Sequence, residues 1–233
     1  MSEGRVFKHI AFDLDDTLLD TYRQLIPNAV REACRAMIVA GLKAEIETCV
    51  QAREEFIRGN ARTSLYSFLV EKFGVKDGVD KTAVADAGYR AFHNRQVERN
   101  IKLFPGARDL LKDLRGRYTL HLVTSGHKKT QQEKIEILQL GSFFDSIHLI
   151  DPAFGERKSQ AFAAIMRGSD TDQRAFLSIG NRLDTDISEA KRLGWTTCWV
   201  RYGEYASHVP VDEYEKPDFE IDALEELVST CRL

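Results

Sequence analysis

The sequence predicts an α/β protein built on a doubly wound parallel sheet, with an all-helical segment inserted near its start. Short apolar runs bounded by turn residues recur at positions 10–12, 119–123, 147–150, 176–179 and 197–200, and each is typical of a buried strand. Stretches with helical spacing of apolar residues separate the later runs, at 132–140, 160–166 and 187–193. This alternation favours parallel strands with helices on both faces of the sheet.

The region from about position 18 to position 103 follows a different pattern. It lacks β-rich runs and is typical of successive amphipathic helices, with Val30, Ala33 and Met37 at helical spacing. A Phe-Pro-Gly turn at 104–106 marks the return to the α/β part of the chain. The sequence therefore predicts an α/β core domain formed by residues 1–17 and 104–233, and a helical domain formed by residues 18–103.

The position of this insertion bears on function. Ligands of open α/β sheets bind beyond the carboxyl ends of the strands, so an insertion that emerges directly after the first strand is placed to act as a lid. The most polar and aromatic cluster within it consists of Arg58, Asn60, Arg62 and Tyr66.

Composition and charge exclude several classes of function. The 233 residues carry a formal net charge of -3 with a pI near 6.1, so no overall positive field exists to hold nucleic acid or an acidic membrane. The four cysteines are widely spaced and form no C-x-x-C pair, and no apolar run has the length of a signal peptide or a membrane span. We therefore expect a cytoplasmic protein that binds neither nucleic acid nor membrane. These features specify no oligomeric state.

The most informative segment lies at the end of the first predicted strand. Its apolar residues run directly into Asp13, Asp15 and Asp16, followed by Thr17. Crowded carboxylates repel one another unless a cation or hydrogen bonds compensate, and Mg²⁺ prefers such oxygen ligands. A carboxylate can also attack phosphorus as a nucleophile, while a second one exchanges protons with leaving group and water. The alternative is an Asp-rich turn that only caps a helix.

Three further segments follow at the ends of later apolar runs. Thr124 ends a predicted strand, where its hydroxyl could hold a phosphate oxygen or cap a helix. Lys158 opens a predicted helix, where it could neutralise phosphate or simply be solvated. The turn at 181–186 carries oxygen groups suited either to metal coordination or to capping.

The four segments together resemble the haloacid dehalogenase-like superfamily, whose motifs are an Asp-x-Asp-x-Thr loop, a strand-ending Thr or Ser, a Lys and an acidic turn. The resemblance spans nearly the whole chain and implies a Rossmann-like core. The helical insertion resembles the type C1 cap of subfamily I. The matching positions are Asp13, Asp15, Thr17, Thr124, Lys158 and residues 181–186.

The resemblance implies a role for each matching residue. Asp13 would be the nucleophile and a Mg²⁺ ligand. Asp15 would be the general acid/base, and would bind Mg²⁺ through its main-chain carbonyl. Thr124 and Lys158 would bind the phosphoryl group.

The fourth motif departs from the family's usual pattern at one position. By the resemblance, Asn181 would be the remaining direct Mg²⁺ ligand and Asp186 would orient metal-bound water, with Asp184 as a substitute for Asp186. The family usually has Asp where this chain has Asn181. An amide oxygen is still a legitimate ligand, but it brings one fewer negative charge, so we expect weaker magnesium affinity.

The implied reaction is Mg²⁺-dependent hydrolysis of a small phosphorylated metabolite through an aspartyl-phosphate on Asp13. Three alternatives stay open. A 2-haloacid dehalogenase would attack carbon with the same aspartate, although such enzymes generally lack a counterpart of Asp15 and need no metal. A phosphomutase would share every residue named, and a non-catalytic binding relative would keep the fold, with Asn181 as its main support.

Overall fold

The computed structural model describes residues 6–59, 64–93 and 95–233. The chain divides into two compact units, one formed by Met1–Thr21 and Arg99–Leu233 and the other by Tyr22–Glu98. The predicted boundaries, at 17/18 and 103/104, lie within a few residues of this division. The assignment of these parts as core and cap domains stays a prediction.

A parallel sheet organises the first unit, in agreement with the predicted fold class. In the described part of the chain the sheet has six strands in the order β3-β2-β1-β4-β5-β6, and every neighbouring pair is parallel. The strands predicted from apolar runs are all present, and β6 is an addition at the edge. The strands are β1 (His9–Phe12), β2 (Thr119–Ser125), β3 (Ser146–Ile150), β4 (Phe176–Gly180), β5 (Thr196–Val200) and β6 (Phe219–Ile221).

Helices connect the strands and make up the second unit. No helix among the described residues combines the length and the apolar content needed to cross a membrane. The helices are α1 (Thr21–Gln24), α2 (Ile26–Ala40), α3 (Ile46–Arg58), α4 (Leu65–Phe73), α5 (Lys81–His93), α6 (Ala107–Arg115), α7 (Lys128–Ile137), α8 (Lys158–Arg167), α9 (Ser188–Lys191) and α10 (Leu227–Cys231).

The strand order determines where a ligand can bind. The central strand β1 lies between β2 and β4, with Phe12 in register with Leu122 on one side and Ile179 on the other. The chain changes direction across the sheet at this point, and in such sheets ligands bind beyond the carboxyl ends of the strands at the reversal. The ends of β1, β2 and β4 are therefore where functional side chains are expected.

Apolar packing holds α8 against the sheet near the amino-terminal ends of β4 and β5. Phe176 on β4 stacks on Trp195 with ring centroids 4.7 Å apart, and Phe162 of α8 packs against the same indole at 4.9 Å. All three side chains are buried. Trp195 and Trp199 are thus core residues, and α8 is held against the sheet by the hydrophobic effect.

The second unit has a separate apolar core among its helices, which includes Val30, Met37, Leu69 and Val84. Helix α2 ends at Gly41, whose φ of 119° allows its N–H to bond back to Ile38. Of the polar and aromatic cluster predicted here, Asn60 and Arg62 lie outside the described residues.

A chain of hydrogen bonds joins three histidines in the first unit. His9 Nδ1 lies 3.2 Å from His121 Nε2, and His121 Nδ1 lies 2.7 Å from the Ser146 hydroxyl. The same hydroxyl lies 3.0 Å from His148 Nε2, while His9 Nε2 lies 2.9 Å from the Ser169 hydroxyl. One of the two facing nitrogens of His9 and His121 must accept, so the pair cannot be fully protonated without losing this contact.

Burial is the main cause that lowers the pKa of His121, the neighbouring His9 and His148 add to it, and Asp145 opposes it, so that the pKa lies at about 4. Burial also lowers the pKa of His9 and of His148. Each ring therefore binds a proton more weakly in the folded protein than in the unfolded chain. The stability that neutral His121 contributes is fully present above the unfolded pKa of 6.5. It is lost as pH falls from 6.5 towards about 4.

We therefore expect the free energy of unfolding to fall by about 3 kcal/mol through His121 alone when pH decreases across this window. Urea unfolding at pH values between 7.5 and 4.5 would measure it. His121→Asn should make the free energy of unfolding depend less on pH, whatever its effect on stability at neutral pH. His127→Asn, outside the network, should leave this pH dependence unchanged. An unchanged slope in His121→Asn would contradict the assignment.

Candidate active site

The first, second and fourth motifs lie at the carboxyl ends of neighbouring strands. Asp13 follows β1 directly, and its N–H donates to the carbonyl of Ile179 on β4 at 2.9 Å. Thr124 lies near the end of β2, and Asn181 is the first residue after β4. Motifs separated by more than a hundred residues in the sequence therefore meet because their strands are adjacent in the sheet.

A buried lysine joins two of the predicted site carboxylates. Lys158 is the first residue of α8, as predicted, and its Nζ lies 2.6 Å from Asp13 Oδ1 and 2.5 Å from Asp186 Oδ1. The three residues are only 3%, 7% and 1% exposed, respectively. Two buried carboxylates this close would repel each other strongly, so the ammonium group between them is what permits their approach.

The electrostatics of this cluster follow from its burial. Removal from water is the main cause that raises the pKa of Asp13; Lys158 opposes it and the charge of Asp186 adds to it, so that the pKa lies at about 7. Burial alone would lower the pKa of Lys158, but the charges of Asp13 and Asp186 outweigh burial and raise it. Lys158 is therefore a fixed positive charge, and it supplies the compensation that an ionised Asp13 requires.

A turn of π-helix positions Asp186. This turn spans Leu183–Ile187 and leads into α9, where the sequence predicted a regular helix over 187–193. Asp186 Oδ2 accepts a hydrogen bond from the Arg182 N–H at 3.0 Å, and the Asp186 carbonyl accepts one from the Ser178 hydroxyl at 2.9 Å. Such turns are often found at functional sites because they re-aim side chains.

Asp184, considered as a substitute for Asp186, lies in a different environment. Its two carboxylate oxygens accept from the guanidinium of Arg182 at 3.0 and 2.6 Å. This bidentate pair is a strong and directional contact. Asp186, rather than Asp184, is thus the carboxylate of this motif that contacts Lys158.

The loop after β1 controls where Asp13 and Asp15 project. The carbonyl of Leu14 accepts from the N–H groups of Leu18 and Leu19, both at 2.9 Å, which closes the loop tightly. Asp16 has a φ of 55°, a left-handed conformation that aspartate tolerates better than most residues. The third carboxylate of the motif is therefore a turn residue, while Asp13 and Asp15 carry the side chains directed into the site.

Asp15 is held by donors that the sequence did not reveal. Lys134 Nζ lies 2.7 Å from Oδ1 and 2.8 Å from Oδ2 of Asp15, and Gln131 Nε2 donates to Oδ2 at 2.8 Å. The Thr21 hydroxyl donates to Oδ1. Burial raises the pKa of Asp15, but the charge of Lys134 and the bonds from these three residues outweigh burial, so the pKa lies below its usual value. The described arrangement favours the ionised carboxylate.

Two threonine hydroxyls in this region have unmet hydrogen-bonding capacity. Thr17 and Thr124 are fully buried, and within the described part of the chain neither Oγ1 has a hydrogen-bond partner. A buried hydroxyl without a partner costs stability, so such groups call for an explanation. A ligand oxygen that reached either hydroxyl would satisfy that donor.

The donor chemistry of the site fits a hard divalent cation. Asp13, Asp186 and Asn181 offer carboxylate and amide oxygens, which are the ligands Mg²⁺ prefers. Asn181 is buried, and its carbonyl accepts from the Trp199 indole at 2.9 Å, which fixes its main chain. Among the described residues no three His, Cys, Asp or Glu side chains converge closely enough to hold an ion by themselves. The ligand set therefore stays a prediction.

The protein is an α/β protein with a parallel sheet. Acidic and basic side chains are buried at the carboxyl ends of its strands, where the strand order changes direction beside β1. The chain belongs to the haloacid dehalogenase-like hydrolase family, whose model matches residues 10–200. The predicted superfamily is confirmed, and membership makes the chain a hydrolase.

Curated relatives share most of their length with this chain. A protein of Pyrococcus abyssi named glyceraldehyde 3-phosphate phosphatase is 33% identical over 204 residues, which cover 85% of this chain and 83% of the relative. A protein of the same name from Methanopyrus kandleri is 30% identical over 233 residues, covering 97% and 98%.

Solved structures of other proteins have a similar fold. A haloacid dehalogenase-like family hydrolase of Streptococcus pneumoniae matches with a TM-score of 0.69 at 22% identity, covering 96% of this chain and 97% of the other. The HAD-hydrolase YfnB of Bacillus subtilis, in a crystal form described as bound to magnesium, matches with a TM-score of 0.67 at 22% identity, covering 96% and 98%.

The position of Asp186 makes a prediction about Gly180. A Cβ atom at Gly180 would lie 2.2 Å from the carboxyl carbon of Asp186, which is held by Lys158 and by the turn. We expect Gly180→Ala to lower the free energy of unfolding by about 1–3 kcal/mol, measured by urea unfolding. Gly141→Ala is the matched control, because nothing lies within 4 Å of a Cβ there. Equal stability of the two variants would show that Asp186 moves freely.

Proposed function

We propose that this chain is a magnesium-dependent phosphatase that hydrolyses small phosphate monoesters through an aspartyl-phosphate on Asp13. The observation that carries the proposal is the buried contact of Lys158 with Asp13 and Asp186 at the carboxyl edge of the sheet. Relatives that cover 85% and 97% of this chain are named as phosphatases, and these names support hydrolysis of a phosphate ester.

In the first half-reaction Asp13 attacks phosphorus in line with the departing alcohol. A new bond forms between an Asp13 oxygen and phosphorus, and the bond between phosphorus and the alcohol oxygen breaks. Asp15 protonates that oxygen as it leaves, and for this it must first take up a proton, because its contacts in the resting structure favour the ionised form. Lys158 keeps its positive charge beside Asp13, which favours the ionised carboxylate needed for attack.

In the second half-reaction a water molecule hydrolyses the aspartyl-phosphate and restores Asp13. Asp15, now ionised, accepts a proton from the attacking water, so one residue serves as acid and then as base. Thr17 and Thr124 have buried hydroxyls free to donate to phosphoryl oxygens. Lys158 supplies a positive charge to the same group.

Magnesium would be held by the side chains of Asp13 and Asn181 and by the main-chain carbonyl of Asp15, and Asp186 would orient water bound to it. When bound, it would neutralise charge between the nucleophile and the phosphate. The neutral side chain of Asn181 contributes less to cation affinity than a carboxylate would.

For the substrate, we propose a three-carbon phosphate of the glyceraldehyde 3-phosphate type, on the basis of the names of relatives at 30% and 33% identity. The helical segment 18–103 would act as a type C1 cap and select the leaving group. More distant relatives, at 24% and 26% identity, are named N-acylneuraminate-9-phosphatase and phosphoglycolate phosphatase, so these esters belong in the test panel.

We further propose that the protein acts in the cytoplasm on this small metabolite, without nucleic acid or membrane as partner. The four cysteines are buried and unpaired in disulfides, which agrees with a reducing compartment. The slightly negative net charge disfavours polyanionic partners.

The nucleophile assignment predicts the effect of Asp13→Asn. We expect hydrolysis of the phosphate panel in the presence of Mg²⁺ to fall by roughly 10³-fold or more, because an amide cannot form the covalent intermediate. Phosphate release would measure the rate. Asp109→Asn, at an exposed position of α6, is the matched control and should retain full activity. Substantial turnover by Asp13→Asn would show that another group attacks phosphorus.

The metal assignment predicts the effect of Asn181→Asp. An added carboxylate in direct contact with Mg²⁺ should tighten magnesium binding by roughly tenfold or more. Titration calorimetry with Mg²⁺ alone measures this without reference to activity. Asn100→Asp adds the same charge at an exposed position and should leave the affinity unchanged. Equal affinities in Asn181→Asp and the unsubstituted protein would exclude residue 181 as a ligand.

A further inference from the structure

A second buried lysine, distinct from Lys158, contacts the other proposed catalytic carboxylate. Lys134 lies on α7, and its Nζ is within 2.8 Å of both oxygens of Asp15. The side chain of Lys134 is 8% exposed, whereas that of Asp15 is 25% exposed. A buried lysine therefore contacts a carboxylate whose side chain is partly exposed.

Gln131 reaches the same carboxylate from one turn earlier on the same helix. Its Nε2 donates to Asp15 Oδ2 at 2.8 Å and to the Ser125 carbonyl at 2.6 Å. Residues three positions apart lie on one face of a helix, so Gln131 and Lys134 approach Asp15 together. Gln131 is 3% exposed, so its amide is fixed by packing as well as by these bonds.

The backbone at Gly126 is adapted to this arrangement. Gly126 has a φ of 147°, and a Cβ atom there would lie 2.7 Å from Gln131 Nε2. Any larger residue would collide with the amide that bridges Ser125 and Asp15. The chain between β2 and α7 therefore leaves space for Gln131 to take this position.

The contacts also fix the rotation of the Asp15 carboxylate. Oδ1 accepts from Lys134 and Thr21, and Oδ2 accepts from Lys134 and Gln131. A carboxylate has about four acceptor positions, so these contacts match its full capacity. Rotation of the group would break several contacts at once. Proton transfer at one oxygen displaces one contact and leaves the others in place.

From this geometry we propose that Lys134 and Gln131 are positioning residues that hold the carboxylate of Asp15 in the orientation needed for proton transfer to the leaving group. The inference rests on the proposed function, because it requires Asp15 to be the general acid. A loosely held acid spends little time at the geometry in which its proton reaches the departing oxygen. Lys134 and Gln131 act through Asp15 and need no contact with the substrate.

The competing explanation is that Lys134 only ties α7 to the loop after β1. A purely structural role would slow the hydrolysis of every ester to a similar extent. Positioning of an acid makes a narrower prediction, because only poor leaving groups need a proton to depart. An alkyl phosphate such as glycerol phosphate has a poor leaving group, whereas para-nitrophenyl phosphate has a good one.

The experiment compares kcat/KM for these two esters, with Mg²⁺, in the unsubstituted protein and in Lys134→Met. The ratio kcat/KM reports steps up to the first irreversible one, so it isolates phosphoryl transfer to Asp13 from the later attack of water. We expect Lys134→Met to lower kcat/KM by about 10- to 100-fold for glycerol phosphate and by less than about threefold for para-nitrophenyl phosphate.

Three further variants make the result interpretable. Lys129→Met removes an exposed lysine of the same helix and should change neither value. Lys134→Arg keeps the charge and the donors and should restore much of the loss on glycerol phosphate. Asp15→Asn should also lower kcat/KM more for glycerol phosphate than for para-nitrophenyl phosphate, and the difference should be larger than in Lys134→Met. Thermal unfolding of each variant checks that it is folded at the assay temperature.

Each outcome tests a separate statement. Equal losses on both esters in a folded Lys134→Met protein would overturn the positioning role and leave the phosphatase proposal intact. Equal losses of kcat/KM on both esters in Asp15→Asn would show that Asp15 is not the acid, and the inference would then fail as well. Failure of the unsubstituted protein to hydrolyse either ester, or the phosphate panel, would overturn the proposed function itself.

Discussion

The contact of Lys158 with Asp13 and Asp186 is the interaction on which the rest of the site depends. The parallel sheet sets β1 beside β4, and this pairing brings two carboxylates into a region almost without water. An unpaired buried carboxylate would protonate or force the edge apart. Because α8 begins at Lys158, its ammonium group stabilises both charges, and the fold can keep ionised carboxylates within its interior.

Most of the fold was predictable because its strands are buried on both faces and therefore appear as continuous apolar runs. The exceptions have physical causes. β6 has three residues at the sheet edge, too few to give a pattern. The segment at 187–193 has helical spacing, but the chain first forms a π-helical turn over Leu183–Ile187, where Asp186 meets Lys158 and the Arg182 amide. Tertiary contacts override local preference at that point.

The site was predictable to the extent that its residues fall directly after strands. Asp13, Thr124 and Asn181 follow or end apolar runs, and parallel strands bring such positions to one edge. Lys134 and Gln131 carry no such signal, since polar residues within a helix are usually solvated. Their partner Asp15 is 119 and 116 positions away, and only folding shows that they meet.

The charges of the site also explain why a divalent cation belongs in the proposed reaction. Asp13, Asp15 and Asp186 face two ammonium groups, Lys134 and Lys158, so the ionised cluster keeps one net negative charge. A phosphate monoester dianion would add to that excess and would be repelled from Asp13. Burial is the main cause of the raised pKa of Asp13, and the negative charges of Asp186 and Asp15 add to it. The two lysines compensate two of the three carboxylates. Binding and attack of a dianion require further positive charge that these side chains do not supply, and this requirement supports the proposed magnesium ion beside Asn181.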